Sequence, residues 1–172
     1  MKKALIIIDM QNDFIDQALG TPEAPAAVPE VCRLIRDESF THIYATLDTH
    51  TEDYMQTLEG KYLPVVHCVK GTEGWQIRPE VKAELDKRDA VYVEKPTFGS
   101  VRLAEMLREL DPDDITIAGL CTDICVVNNA LLLRSYLPNT PIYASASACA
   151  ATTPENHQAA LSVMRSCQIE II

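Results

Sequence analysis

An acid, a base and a thiol each follow a short apolar run in this 172-residue sequence. Asp9 follows the first run, Lys95 follows a later one, and Cys125 lies in the segment Gly119-Leu120-Cys121-Thr122-Asp123-Ile124-Cys125-Val126. A cysteine at a helix start beside a lysine ionises more readily, and a carboxylate can take its proton and later deliver it to a leaving amine. The set indicates nucleophilic acyl transfer. From the residues alone, a second interpretation stays open, in which each is a turn, cap or inert core residue.

A second group of side chains could bind a metal ion. Asp48 and His50 are followed by Glu59 and His67. Two imidazoles and two carboxylates suit Zn²⁺ first, or Mn²⁺ or Fe²⁺, in a site that keeps room for water. By spacing alone, the Asp-x-His pair is equally explained as a hydrogen-bonded loop.

The elements that position these residues alternate between two kinds of apolar pattern. Six short β-rich runs read as covered strands that are apolar on both faces: 4–8, 43–47, 91–93, 115–118, 142–144 and 169–172. Between them, apolar residues recur at helical spacing over 28–35, 103–110 and 160–167, with Ser100 and Thr153 as N-caps. The alternation predicts a single domain over residues 1–172 with a three-layer, Rossmann-like α/β fold. Its sheet is expected to be mainly parallel and six-stranded, flanked by helices.

The carboxyl ends of parallel strands share one edge of the sheet, where ligands bind. Asp9, Asp48 and Lys95 each end or follow a predicted strand, so they are expected to converge. The stretch from residue 48 to residue 89 has no strong strand, and a connection of that length favours a functional loop.

Composition excludes some classes of protein. There are 15 Lys and Arg against 25 Asp and Glu, a formal charge of −10, which argues against nucleic-acid binding. We find neither a membrane-spanning apolar stretch of roughly 20 residues nor a signal peptide, so a cytoplasmic protein without membrane contact is predicted. The six cysteines are then thiols rather than disulfides. The segment 126–137, apolar nearly all round, favours a helix buried between the sheet and a further surface, such as a subunit partner in a homo-oligomer.

Three blocks resemble the isochorismatase-like cysteine hydrolases, the family of nicotinamidases and N-carbamoylsarcosine amidases. They are Asp9-Met10-Gln11-Asn12-Asp13-Phe14, then Lys95, then the segment 119–126. The resemblance implies a catalytic triad of Asp9, Lys95 and Cys125, and an assembly that is a dimer or tetramer. It also implies a cis peptide between Leu120 and Cys121, and an oxyanion hole formed by the backbone N–H groups of Cys121 and Cys125.

The runs 48–50 and 67–72 resemble the metal-binding blocks of nicotinamidases, and Glu59 stands where some members place a fourth ligand. Isochorismatases proper share the triad blocks but generally lack this metal site. The resemblance therefore favours the nicotinamidase-related branch, in which the metal holds the ring nitrogen of nicotinamide.

The resemblance also implies a substrate pocket with two aromatic walls. Phe14 matches one wall, but Pro64 stands where the second aromatic residue is expected. Tyr62 and Phe98 are the predicted substitutes, and Trp75 could cover the pocket, although a lone Trp in a loop commonly serves packing.

These inferences predict a metal-containing cysteine amidohydrolase that acts on a C–N bond of a small amide, nicotinamide or similar. It would yield the acid and ammonia through a thioester intermediate. Two alternatives are kept: an isochorismatase-type vinyl-ether hydrolase, and a catalytically idle binding or regulatory member. His157 is interpreted as a surface or helix-start residue.

Overall fold

The computed structural model describes residues 1–172 and contains six strands and seven α-helices. The strands are β1 (Lys3–Ile8), β2 (His42–Asp48), β3 (Val91–Lys95), β4 (Asp114–Leu120), β5 (Ile142–Ala150) and β6 (Glu170–Ile171). The helices are α1 (Asn12–Ile15), α2 (Ala24–Arg36), α3 (Leu58–Tyr62), α4 (Pro79–Lys87), α5 (Val101–Leu110), α6 (Val127–Tyr136) and α7 (Pro154–Ser166). A 3₁₀ turn (Tyr54–Gln56) precedes α3, and a π-helical turn (Thr122–Val126) precedes α6.

The strands form one sheet in the order β3-β2-β1-β4-β5-β6, and all five neighbouring pairs are parallel. The chain therefore places β2 and then β3 on one side of β1, and β4, β5 and β6 in turn on the other side. The predicted Rossmann-like α/β fold is confirmed. The order reverses between β1 and β4, and in open parallel sheets a crevice for ligands lies at that reversal.

Helices cover both faces of the sheet, as the run of apolar residues in β1 requires. Leu5 and Ile7 belong to the core beneath α2 and α4, whereas Ala4, Ile6 and Ile8 belong to the core beneath α5, α6 and α7. All five side chains are buried. The period-two alternation of a strand thus supplies both cores from one continuous apolar run.

The helix starts confirm the two predicted N-caps. Ser100 Oγ accepts a hydrogen bond from the Leu103 N–H at 3.1 Å, and Thr153 Oγ1 accepts one from the Asn156 N–H at 3.1 Å. None of the helices is long and apolar enough to cross a membrane.

Two predictions about the elements are wrong in part. β3 is not apolar on both faces: it lies at the sheet edge, and Val91 and Tyr92 are exposed. β5 continues six residues beyond the predicted end at residue 144, to Ala150. The long connection after β2 has no strand, as expected, but it contains α3 and α4, and the apolar signal of α4 is limited to the buried Val81 and Leu85.

Candidate active site

Asp9, Lys95 and Cys125 meet at the carboxyl edge of the sheet. Asp9 follows β1, Lys95 ends β3, and Cys125 lies in the π-helical turn after β4. Lys95 Nζ lies 2.6 Å from Asp9 Oδ2 and donates a hydrogen bond to Cys125 Sγ at 3.4 Å. All three side chains are buried. The lysine therefore joins the acid to the thiol in a site shielded from bulk water.

Asp9 is held by the neighbouring strand β2. The Thr46 hydroxyl donates a hydrogen bond to Asp9 Oδ1 at 2.6 Å, and the Asp9 N–H donates to Thr46 Oγ1 at 3.2 Å. Thr46 is completely buried. This contact leaves Oδ2 for the ion pair with Lys95. Thr46 lies inside β2, where no sequence pattern marks it as a site residue.

The surroundings of the Cys125 thiol oppose its ionisation. Burial raises the pKa of Cys125 well above its ordinary value, and the Asp9 charge raises it further, although Lys95 opposes both effects. Burial outweighs the lowering by Lys95, so the net shift of this pKa is opposite to the one expected for a thiol at a helix start. Burial likewise raises the pKa of Asp9 against the opposing charge of Lys95. A carboxylate with a raised pKa is a better proton acceptor for such a thiol.

The turn that carries Cys125 has an unusual backbone path. The Leu120–Cys121 peptide is cis, as the resemblance implies. The Cys121 carbonyl accepts hydrogen bonds from the N–H groups of Ile124 and Val126, both at 3.1 Å. The Cys121 N–H donates to no acceptor in the protein, so it can donate to a ligand.

Gly119 brings the ends of β1 and β4 together. Its φ is +122°, and a Cβ at this position would lie 2.1 Å from the carbonyl oxygen of Ile8. Only glycine permits both this conformation and this approach. Gly119 thereby fixes the distance between the residue after β1, Asp9, and the turn after β4.

The predicted metal ligands form a compact cluster beside these residues. One donor atom from each of Asp48, His50, Glu59 and His67 lies within 4.8 Å of the others. Asp48 Oδ2 is 3.0 Å from His50 Nε2 and 3.4 Å from His67 Nε2. Glu59 Oε1 is 3.7 Å and 3.6 Å from the same two nitrogens.

The chemistry of this donor set fits a divalent cation. His67 Nδ1 donates a hydrogen bond to the Val65 carbonyl at 2.8 Å, which leaves Nε2 as the ligating nitrogen. Burial alone would raise the pKa of Asp48, but the hydrogen bonds with His50 and His67 and the charge of Lys95 lower it below its usual range. An ionised carboxylate and imidazole nitrogens that release their protons are the groups that a transition metal requires, so the metal would replace the protons that these nitrogens share with Asp48.

Two polar side chains of the block 9–14 are hydrogen-bonded to the backbone beside the metal-ligand cluster. Gln11 Nε2 donates to the Asp48 carbonyl and Gln11 Oε1 accepts from the Asp48 N–H, both at 2.8 Å. Asp13 Oδ2 accepts from the Cys68 N–H at 2.7 Å, next to His67. Both residues belong to the block quoted for the resemblance, and their contacts hold the ligand-bearing loops.

The structure brings one of the predicted aromatic wall residues into the site. Phe14 is buried, and its ring centroid lies 5.5 Å from that of His67. Tyr62 is 85% exposed and Phe98 is 41% exposed, so the structure does not bring them into the cluster. Trp75 is half-buried, and its Nε1 donates to Thr49 Oγ1 at 3.0 Å. The roles of these residues in substrate contact stay predictions.

The fold and the site together define an α/β protein with a buried acid–lysine–thiol centre beside a metal-ligand cluster. The Isochorismatase domain family matches residues 3–172. The chain belongs to the isochorismatase family.

Relatives support a more particular assignment. The nicotinamidase/pyrazinamidase of Mycobacterium tuberculosis is 28% identical, with 99% of this chain and 98% of the relative covered. The crystal structure of the nicotinamidase/pyrazinamidase PncA from Bacillus subtilis superposes with a TM-score of 0.86 at 30% identity, covering 99% of each chain. The pyrazinamidase of Pyrococcus horikoshii, in complex with zinc, has a TM-score of 0.82 at 28% identity and covers 100% of this chain and 99% of its own.

Proposed function

We propose that this chain is a metal-containing cysteine amidohydrolase of one domain, acting on the C–N bond of nicotinamide or a similar small amide. One observation carries the proposal: Lys95 joins Asp9 to Cys125, 2.6 Å from the carboxylate and 3.4 Å from the sulfur. Relatives named nicotinamidase or pyrazinamidase along nearly the whole chain support the substrate class.

The reaction begins with proton transfer. Asp9 takes the proton of the Cys125 thiol and becomes neutral, and Lys95 stabilises the negative charge of the resulting thiolate. The Cys125 thiolate forms a C–S bond to the amide carbonyl carbon, and the C=O π electrons move onto oxygen. When the carbonyl re-forms, the C–N bond breaks and Asp9 returns the proton to the leaving nitrogen, which departs as ammonia. Water, deprotonated by Asp9, then hydrolyses the thioester to the acid and restores the thiol.

The developing oxyanion would accept hydrogen bonds from the backbone N–H groups of Cys121 and Cys125. The absence of a protein acceptor for the Cys121 N–H supports this role. A divalent cation held by Asp48, His50, Glu59 and His67 would supply a Lewis acid that holds a substrate nitrogen. Zinc is proposed first, with manganese or iron as alternatives, because imidazole and carboxylate ligands suit all three.

The metal cluster favours the amidase over the vinyl-ether hydrolase. Its four donors, within 4.8 Å of one another, form a ligand set that isochorismatases proper generally lack. The idle binding member is disfavoured by the buried contacts among Asp9, Lys95 and Cys125, because burying an ion pair is costly unless a function retains it.

The decisive experiment measures ammonia release from nicotinamide, pyrazinamide and a panel of small amides by the metal-loaded protein. Cys125→Ala should lower the rate by roughly 10³-fold or more, because it removes the nucleophile. Cys167→Ser is the matched control, since Cys167 is a half-buried thiol that caps the end of α7 opposite to His157, and its rate should equal that of the natural protein. No ammonia from the natural protein, or an unchanged rate in Cys125→Ala, would contradict the mechanism. Metal analysis should find about one ion per chain, as a four-ligand cluster holds.

Two further properties belong to the proposal. Val127, Leu131 and Leu132 of α6 are only partly buried, which supports a homo-oligomer in which a second copy covers them. A small-molecule amide rather than a nucleic acid as substrate accords with the charge of −10. A cytoplasmic location accords with the six free cysteines. Tyr62 and Phe98 are retained as candidate substrate contacts.

A further inference from the structure

The first turn of α7 contacts the turn that carries the proposed nucleophile. His157 lies near the start of this helix, as predicted, but it is half-buried rather than a plain surface residue. Its Nδ1 lies 2.8 Å from the hydroxyl oxygen of Thr122. The proposed mechanism gives this histidine no role.

Thr122 is positioned to transmit that contact. It directly follows Cys121, whose free N–H is the proposed oxyanion donor, and it begins the π-helical turn that contains Cys125. Thr122 is completely buried, and its hydroxyl is hydrogen-bonded to His157. A buried hydroxyl without a partner is unfavourable, so this bond holds the Thr122 side chain in one orientation.

The next residue of the turn is tied to the same end of α7. The Thr152 N–H donates to Asp123 Oδ1 at 3.1 Å, and the Thr152 hydroxyl donates to Asp123 Oδ2. Asn156 Nδ2 in turn donates to Thr152 Oγ1 at 2.9 Å. Thr122 and Asp123, two consecutive residues of the catalytic turn, are therefore both hydrogen-bonded to the start of α7. Of these contacts, the one with His157 involves the residue next to Cys121.

We propose that His157 is a positioning residue that acts through Thr122 to hold the Cys121 N–H where the oxyanion forms. This inference rests on the proposed amidohydrolase function. Because the oxyanion exists only in the transition state, a displaced donor should lower kcat and leave KM nearly unchanged.

A double-mutant cycle on amide hydrolysis tests the proposal. His157→Leu removes the imidazole, and Thr122→Val removes the hydroxyl at equal size. Each should lower kcat by about 10- to 100-fold, the range expected for small misplacement of a catalytic group, with KM unchanged. The double variant should be no slower than the slower single variant, because both changes break the same contact. His157→Asn and Thr122→Ser, which keep a hydrogen-bonding group, should recover most of kcat.

Leu161→Val is the matched control, since it alters a buried residue of α7 without removing a hydrogen bond. It should lower thermal stability and leave kcat unchanged. The proposal is overturned if the two single effects multiply in the double variant, if KM alone changes, or if Leu161→Val loses as much kcat. If His157→Leu does not fold, the comparison of Thr122→Ser with Thr122→Val decides, because only the valine variant should lose kcat. If the natural protein releases ammonia and the effects of the two single variants multiply in the double variant, this inference alone is wrong. If the natural protein releases no ammonia, the proposed function is wrong.

Discussion

At the scale of single residues, the chemistry depends on how the Asp9 carboxylate is held. Burial raises its pKa, while Lys95 and the hydrogen bond from Thr46 work in the opposite direction. The mechanism needs the ionised carboxylate, so activity is present above this pKa and is lost as pH falls through it. The acid limb of the pH–rate profile should therefore lie above the ordinary range of an aspartate.

Thr46→Val should move that acid limb further toward high pH. The variant removes a hydrogen bond to the charged form of Asp9, and loss of roughly 1.4 kcal/mol of such stabilisation corresponds to about one pH unit. The measurement is kcat/KM for amide hydrolysis as a function of pH. Thr116→Val, at another buried threonine of the sheet, is the control and should leave the limb unchanged. A limb that stays in place or moves to lower pH in Thr46→Val would contradict the assignment of Asp9 as the base.

At the scale of elements, Asn129 of α6 joins two loops of the site. Its Oδ1 accepts from the Ser100 N–H at 2.9 Å, and its Nδ2 donates to the carbonyls of Phe98 at 3.0 Å and Cys125 at 2.8 Å. Asn129→Ala should reduce the free energy of unfolding in urea by about 1–3 kcal/mol, because buried backbone groups lose their partners. The neighbouring Asn128 is exposed, so Asn128→Ala is the matched control and should change stability little. Equal losses in the two variants would show that Asn129 does not join the loops.

A substitution at Gly119 tests the close approach of β4 to β1. Gly119→Ala combines a positive φ with a Cβ 2.1 Å from the Ile8 carbonyl oxygen, so it should destabilise the protein by more than about 3 kcal/mol or prevent folding. At Gly99 the nearest atom would be 3.5 Å from a new Cβ, an ordinary contact. Gly99→Ala should therefore keep the melting temperature of the natural protein. A Gly119→Ala variant that melts like Gly99→Ala would refute the close approach.

Apolar runs and cap residues were enough to predict the six strands and the parallel α/β fold, because strands covered on both faces are apolar throughout. The second half of β5 was not predictable in this way. Its sequence alternates Ala with Ser and Cys, types without a strong strand preference, and pairing with β4 holds it in the sheet. Tertiary pairing, rather than local sequence, decides the state of such a segment.

The site was predictable as far as reactive residue types follow strands. That rule, with the quoted motif blocks, is sufficient for Asp9, Lys95 and Cys125 as candidates. It does not identify the contacts of Thr46 with Asp9 or of His157 with Thr122, because Thr46 lies within β2 and His157 within α7 rather than after a strand. Nor does the rule reveal that the Cys125 thiol is buried. Because burial raises its pKa, the net shift is opposite to the predicted one.

At the scale of the whole molecule, the metal cluster joins β2 to the loop after it. A cation that binds only the folded state at 100 times its Kd should add about 2.7 kcal/mol of stability. For a chain of this size, that gain corresponds to roughly 5–10 °C in melting temperature. The check is thermal unfolding with zinc and with a chelator. His50→Ala should abolish the difference, whereas His42→Ala, outside the cluster, should keep it. The same melting temperature under both conditions in the natural protein would rule out a tightly bound ion.

The pairing of β1 with β4 has a consequence for how the molecule assembles. Ile8 lies beside Gly119, more than a hundred positions further along the chain, and the two central strands meet only by closing that long loop. Contacts of such high sequence separation form late and slow the folding of parallel sheets. Because Asp9 and Cys125 extend from these same two strands, a nascent chain acquires its reactive centre only when the middle of the sheet closes. Partly folded chains would thus carry the thiol without the acid that activates it.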